Sequence, residues 1–199
     1  MKFSNLILIL ALTGPVTVLH SQKMKNIFNG KNLDGWKVPE NNTWYTASKG
    51  ILNIQSSPDR KGSILWTSKD YRNFIMQADF KMGAGTVDSG IFLRGENDQI
   101  QIGISGSLKR DMTGSPYIPV LRYPVEAKGV KEILDEKGWN TMKVKVVDKT
   151  YTVWLNGREV MTYTSEKIPE SGPVGLQLHP GNDMQIQYRK IRLGEISGQ

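Results

Sequence analysis

Apolar side chains recur at every second position along most of this chain, in short runs. The clearest are ILNIQ (51–55), GSILWT (62–67), FIMQADFKM (74–82), SGIFLR (89–94), QIQIGIS (99–105), TMKVKVVD (141–148), YTVWLNG (151–157), REVMTYT (158–164), VGLQLH (174–179) and MQIQYRKIRL (184–193). A period of two marks strands, and Gly, Pro, Asn and Asp punctuate the gaps. YTVWLNG and REVMTYT meet at Asn156-Gly157, a dipeptide that accepts positive φ at both central positions and so predicts a tight hairpin. Helical periodicity reaches no comparable length; SKDYRN (68–73) suits a single turn. Residues 106–138 are the long irregular segment, rich in breakers, and long loops of this kind usually carry function or move. Strands in this number, without helices, predict an all-β sandwich of two packed antiparallel sheets, of jelly-roll type, with residues 22–199 as one domain.

Alternation also sorts the side chains by face. Ile91 and Leu93 share one face of their run, Gly90, Phe92 and Arg94 the other. Ile100, Ile102 and Ile104 oppose Gln99, Gln101 and Gly103; Leu176 and Leu178 oppose Gly175, Gln177 and His179; Phe74, Met76, Ala78 and Phe80 oppose Gln77, Asp79 and Lys81. The polar faces hold amides, a guanidinium and an imidazole instead of the lysine and glutamate mixture of a solvated sheet. If the strands are neighbours, these groups form a polar floor, and the glycines let a ligand approach the backbone. Forks of donors and acceptors suit sugar hydroxyls. Taken singly, each such residue is more often merely solvent-facing; the repetition on four strands is what favours a site.

Composition narrows the setting. Residues 1–21 pair a basic start, Lys2, with the apolar run LILILAL (6–12) and small residues near position 21, the pattern of a secretory signal peptide. That run is too short to span a membrane. Export to the periplasm or the cell exterior, in a bacterium, is the expectation. The chain has no cysteine, so its fold rests on packing alone although export would permit disulfides. The formal charge of +7 is scattered, with no basic run longer than two residues. A basic stripe with interleaved aromatics, which nucleic acid would need, cannot be drawn. There is no Gly-rich phosphate loop, no HExxH and no cysteine–histidine cluster, so neither a cofactor nor a metal is called for. Asp88, Glu96 and Asp98 offer oxygen atoms that suit calcium, although turn chemistry explains them more simply. Nor do two carboxylates stand at the spacing that ordinary glycoside hydrolysis wants.

Five stretches, in order, carry a resemblance: IFNGKNLDGWK (27–37), DSGIFLRG (88–95), GWNTMKVKVVDKTYTVWLNGREV (138–160), GPVGLQLH (172–179) and IQYRKIRL (186–193). Together they resemble the DUF1080 family, named for 3-keto-disaccharide hydrolases. The resemblance implies a concanavalin A-like lectin/glucanase sandwich and an exported enzyme that cleaves 3-keto-glycosides, with a small saccharide or keto-glycoside as its partner. It implies a reaction in which the C3 ketone acidifies the C2 proton, a base removes it, an enediolate forms, the C1 substituent leaves and water adds back. Asp88 stands where the family has Asn, and Gln99 where the family has glutamate. An amide is neither acid nor base near neutral pH, so Gln99 also leaves open a non-catalytic, lectin-like module.

The expected roles follow. His179, the one histidine beyond the leader-like segment, and Asp79 are the proton-transfer candidates, since an imidazole gives or takes a proton near neutrality. Arg94 and Lys81 hold the sugar or its developing oxyanion, Gln99, Gln101 and Gln177 bind hydroxyls, and Lys109, Arg110 and Tyr117 cap the site from the long loop. Trp139 and Trp154 are read as core, while Trp66 either packs or stacks on a sugar ring.

Overall fold

A computed structural model describes residues 23–196; the expected signal peptide (1–21) lies outside them. The described residues form strands and turns: β1 (Lys25–Asn26), β2 (Trp36–Lys37), β3 (Tyr45–Ser48), β4 (Ile51–Gln55), β5 (Ser63–Thr67), β6 (Phe74–Gly85), β7 (Asp88–Phe92), β8 (Gln99–Gly103), β9 (Pro116–Tyr117), β10 (Asn140–Val147), β11 (Thr150–Leu155), β12 (Arg158–Thr164), β13 (Gly175–Leu178) and β14 (Met184–Glu195). They pair antiparallel in two sheets. The larger runs β12-β11-β10-β6-β14-β4-β3, with β1 also on β14; the smaller runs β2-β5-β13-β7-β8-β9. SKDYRN makes no helical turn: it bends, and Tyr71 bridges to Gly172.

Alternation builds the core as it should. Phe74, Met76, Ala78 and Phe80 of β6 and Val144 and Val146 of β10 meet Ile91 of β7, Ile100 and Ile102 of β8, and Leu176 and Leu178 of β13 between the sheets. A large apolar side chain fully removed from water contributes about 1.5–3 kcal/mol, so a core of this extent needs no disulfide. A departure from strict alternation in β14 has a local cause. In β14 the inward set changes from Met184, Ile186 and Tyr188 to Ile191 and Leu193. The register shifts there, and Lys190 takes the extra position with φ 50°, which is how a bulge preserves burial on both sides of it. At the β11–β12 turn Asn156 and Gly157 both take positive φ, 50° and 86°, as their sequence predicts.

One carboxyl faces inward. Asp98 is fully buried and its Oδ1 accepts the Tyr151 hydroxyl at 3.0 Å. Burial pushes this carboxyl above the ordinary range, and the Ser165 and Tyr151 hydroxyls only partly offset it. The folded chain therefore holds the Asp98 proton more tightly than the unfolded chain does. That contribution is complete below the ordinary aspartate range and is lost as pH rises through the folded value. Asp98→Asn keeps an acceptor for Tyr151 and removes the charge. Its melting temperature should exceed the parent's at pH 7, with the gap closing towards pH 4. Parallel melting curves at every pH would refute this.

Candidate functional site

The outer face of the smaller sheet holds a continuous chain of polar side chains. Asp88 and Gly90 of β7 stand opposite Gly103 and Gln101 of β8, and Phe92 stands opposite Gln99. On the other side of β7, Gly175 of β13 pairs with Phe92, which brings Gln177 into the same face. Gln99 Nε2 donates to Gln177 Oε1 at 2.8 Å and lies 3.5 Å from Gln101 Oε1; Gln101 Nε2 donates to Asp88 Oδ1 at 2.8 Å. Gly90 makes this possible, because a Cβ there would lie 2.1 Å from Gln99 Nε2. The amide of Gln99 lies flat over the backbone of β7 in the space a side chain would fill.

The chain ends at His179, just beyond β13. Asp88 Oδ2 accepts the Gly106 N–H at 2.9 Å and stands 3.8 Å from His179 Nδ1. Nδ1 itself is 2.7 Å from the carbonyl of Pro180. A carbonyl only accepts, so Nδ1 carries a hydrogen, and in the neutral ring the lone pair is then on Nε2. No protein partner meets Nε2 among the described residues, and the ring is half-exposed. The neutral imidazole is therefore oriented with Nε2 free to accept a proton, and Asp88 stands beside the nitrogen that would share the positive charge.

The long segment after β8 closes one side. Tyr117 of β9 pairs with Gln99 in register, and its ring meets that of Tyr123 at 5.3 Å, edge to face. Burial raises the Tyr123 phenol to about 12, the contact with Ser105 partly opposing it, so it remains a hydrogen-bond donor across the working pH range. Arg110 clasps Glu126 with both terminal nitrogens; its charge acts on Tyr123, so it belongs to the rim. Lys109 is exposed with φ 56°, and its side chain has no hydrogen bond or ion pair among the described residues. On the other side a hollow of about 430 Å³ is lined by Ile64, Trp66, Glu96, Gln177 and Pro180. A larger cavity of about 700 Å³ opens at one end of the sandwich between Met82, Val87, Asp111 and Leu134. None of the polar chain lines it, so size and chemistry point to different places, and the chemistry decides.

Three expected site residues lie elsewhere. Arg94 is buried, 2% exposed. β7 ends at Phe92, and Arg94 takes φ 57°, which breaks the alternation that placed it on the outer face. Its Nη1 donates to the carbonyls of Asp148 (2.6 Å) and Pro169 (3.0 Å), its Nη2 to Asn73 Oδ1 (3.0 Å); it is a clamp between loops. Asp79 and Lys81 do face outward, but from the other sheet, since β6 pairs with β10 and β14. Burial opposes ionisation of Asp79, yet hydrogen bonds from Thr141 and Arg189 and the charge of Lys190 outweigh it and hold the carboxyl below its ordinary range. Trp139 and Trp154 are not core either; they lie on that same outer face, each 4.1 Å beneath a cation, Arg189 and Lys143 respectively.

The amides divide by task. Gln99 and Gln101 are buried and donate to acceptors within the chain, so they position rather than grip. Gln177 is half-buried and lines the hollow; its oxygen is taken by Gln99, and its NH₂ has no hydrogen-bond partner among the described residues. Asp88 is the residue the alternation argument missed: it is buried at the start of β7 and supplies the one carboxylate in the polar chain. Its position in the same alternating set as Gly90 and Phe92 was the available signal. Asp88, Glu96 and Asp98 do not converge, and no group of three or more candidate metal ligands occurs among the described residues.

Residues 23–194 match the 3-keto-alpha-glucoside-1,2-lyase-like domain. The chain belongs to that family. No curated protein matches it. Among solved structures, a candidate glycosyl hydrolase from Parabacteroides distasonis is similar at 22% identity and TM-score 0.68, over 88% of this chain and 100% of that one. The carbohydrate-binding module CBM66 from Bacillus subtilis is similar at 13% identity and TM-score 0.58, over 81% and 96%. The exoplasmic/lumenal domain of VIP36, in its Ca²⁺/Man3GlcNAc-bound form, is similar at 10% identity and TM-score 0.62, over 89% and 92%. Identities this low establish the fold, which is the lectin/glucanase type of β-sandwich.

Proposed function

We propose that this member of the 3-keto-glucoside lyase-like family is an exported enzyme that cleaves 3-keto-glycosides on the outer face of its smaller sheet. The observation that carries the reading is His179, oriented by the Pro180 carbonyl and flanked by Asp88 at 3.8 Å. In this reading Nε2 takes the proton from C2 and the C–H electrons form the enolate with the C3 carbonyl. The enolate then collapses: the ketone returns, a C1–C2 double bond forms, and the C1–oxygen bond breaks with its electrons leaving on the aglycone, which acquires a proton. Water adding at C1, with the imidazolium returning its proton to C2, completes net hydrolysis. Asp88 supports the imidazolium, and the Gln177 NH₂ and the Tyr123 phenol are the donors at hand for sugar oxygens. Preorganised donors at a developing oxyanion are usually the largest catalytic contribution, and a sheet floor holds them rigidly. The leader-like residues 1–21 support export to the periplasm or beyond.

A second reading has its own observation. Gln99 is an amide in the middle of the floor, and similar folds include a carbohydrate-binding module and a lumenal domain in a Man3GlcNAc-bound form; a binding module needs no base. Incubation with a 3-keto-glucoside separates the two. Release of the aglycone with formation of the 3-keto sugar or its 1,2-unsaturated precursor is expected. Saccharide binding without release would make the protein a binding module.

A further inference from the structure

We propose that the hollow beside Gln177 is a stacking platform for the leaving group, so that this site selects glycosides whose aglycone presents a ring face, either the C–H-bearing face of a second pyranose or the π-face of an aryl group. The inference rests on His179 as the centre of the chemistry.

Its basis is how Trp66 lies. Trp66 of β5 stands opposite Gly175 of β13, and Ile64 stands opposite Gln177. A Cβ at position 175 would lie 2.6 Å from Trp66 Cζ3, 2.7 Å from its Cε3 and 2.6 Å from Ile64 Cγ2. The indole therefore lies down across the backbone of β13, in room that exists only because residue 175 is glycine. Phe92, the partner of Gly175 on its other side, supports it at 5.5 Å between centroids and 45°. Such an arrangement rests one part of the ring on the sheet and turns another outward. Trp66 is half-buried and lines the hollow, whereas Phe92 beneath it is buried. None of the hollow's lining comes from residues 104–138, the segment that covers Gln99 and Gln101. A tryptophan recruited only for packing would have been placed between the sheets, where Leu65 of the same strand is.

The spacing fits two rings. From Gly175 to His179 is four residues, about 13 Å at the strand rise of about 3.3 Å per residue. Gln177 stands midway and lines the same hollow. A keto-pyranose at His179 thus directs its C1 substituent over Gln177 and onto the indole. Both a pyranose, through its C–H-bearing face, and an aryl ring, through its π-face, bury area against an aromatic side chain. A methyl aglycone reaches neither Trp66 nor Ile64.

Initial rates with three substrates test this: methyl 3-keto-glucoside, p-nitrophenyl 3-keto-glucoside and a 3-keto-disaccharide, each with the parent, Trp66→Ala and Trp66→Phe. In Trp66→Ala, kcat/KM for at least one ring-bearing substrate should fall about tenfold, chiefly through KM, while the methyl glycoside changes by less than about threefold. Trp66→Phe should recover most of the loss. A loss confined to the disaccharide identifies a sugar leaving group, and one confined to the nitrophenyl substrate identifies an aryl one. Equal losses on all three, or no loss on any, overturn the platform. Should the parent turn over none of them, the reading of His179 falls instead. The platform is then judged by affinity: calorimetry must show the aryl or disaccharide ligand binding more tightly than the methyl glycoside, and Trp66→Ala must erase that preference.

Discussion

His179→Ala is expected to reduce turnover of a 3-keto-glucoside by about 10²–10⁴-fold, the usual contribution of a positioned acid–base group. Its stability should stay within about 0.5 kcal/mol of the parent, as for surface substitutions that break no buried network. Both halves follow from the same geometry. The ring is half-exposed and makes one hydrogen bond, to its neighbour's carbonyl, so little of the fold leans on it. Asp88, by contrast, keeps the Gln101 amide and the Gly106 N–H whatever residue stands at 179. The floor should survive the substitution intact and still bind saccharide. Rates measured beside melting curves and a ligand titration check each part. Unchanged turnover would remove the imidazole from the chemistry, and lost binding would mean that His179 grips substrate instead of deprotonating it.

Most strands of this fold can be read from the chain because one face of each is buried. Ile51–Gln55 falls where its alternation places it, Arg158–Thr164 forms the expected strand although a register shift against β11 buries both Val160 and Met161, and Asn156-Gly157 turns as its residue types demand. The short pieces β1, β2, β3 and β9 escape because two to four residues give no period to detect. The site was half legible. Gln99, Gln101, Gln177 and His179 do share one face, on strands that are close neighbours. Alternation, however, reports only which side chains point away from the core, not which sheet carries them. Asp79 and Lys81 were assigned to the right side of the wrong layer for that reason. Asp88 escaped because an aspartate ahead of a glycine looks like turn chemistry until β8 is seen to pair with it. Gln99 reads differently once it is seen lying over Gly90: its Nε2 donates to Ser89 O and Gln177 Oε1, a linking task that needs the donors of an amide and that an ionised carboxylate, which only accepts, does not perform.

Arg94 gives the sharpest separation between folding and function, because the sequence assigns it to the ligand and the structure assigns it to the scaffold. Its guanidinium is buried and serves three acceptors that belong to different loops. Asn73 Oδ1 also accepts the Asp148 N–H at 2.8 Å, so the same cluster fixes the β10–β11 turn. Arg94→Met keeps the apolar stem and deletes the donors. Leaving buried acceptors without partners costs about 1–3 kcal/mol each, and the loops can relax towards water, so a total near 3 kcal/mol is expected. For a chain of this length that corresponds to roughly 6–12 °C in melting temperature. Arg94→Lys restores the charge but not the planar fork that reaches three acceptors at once, and should recover only part of the loss. Activity per folded molecule should match the parent in both variants at a temperature where they are folded. A raised KM with an unchanged melting temperature would return Arg94 to the binding site and undo the assignment of the site to the β5-β13-β7-β8 floor.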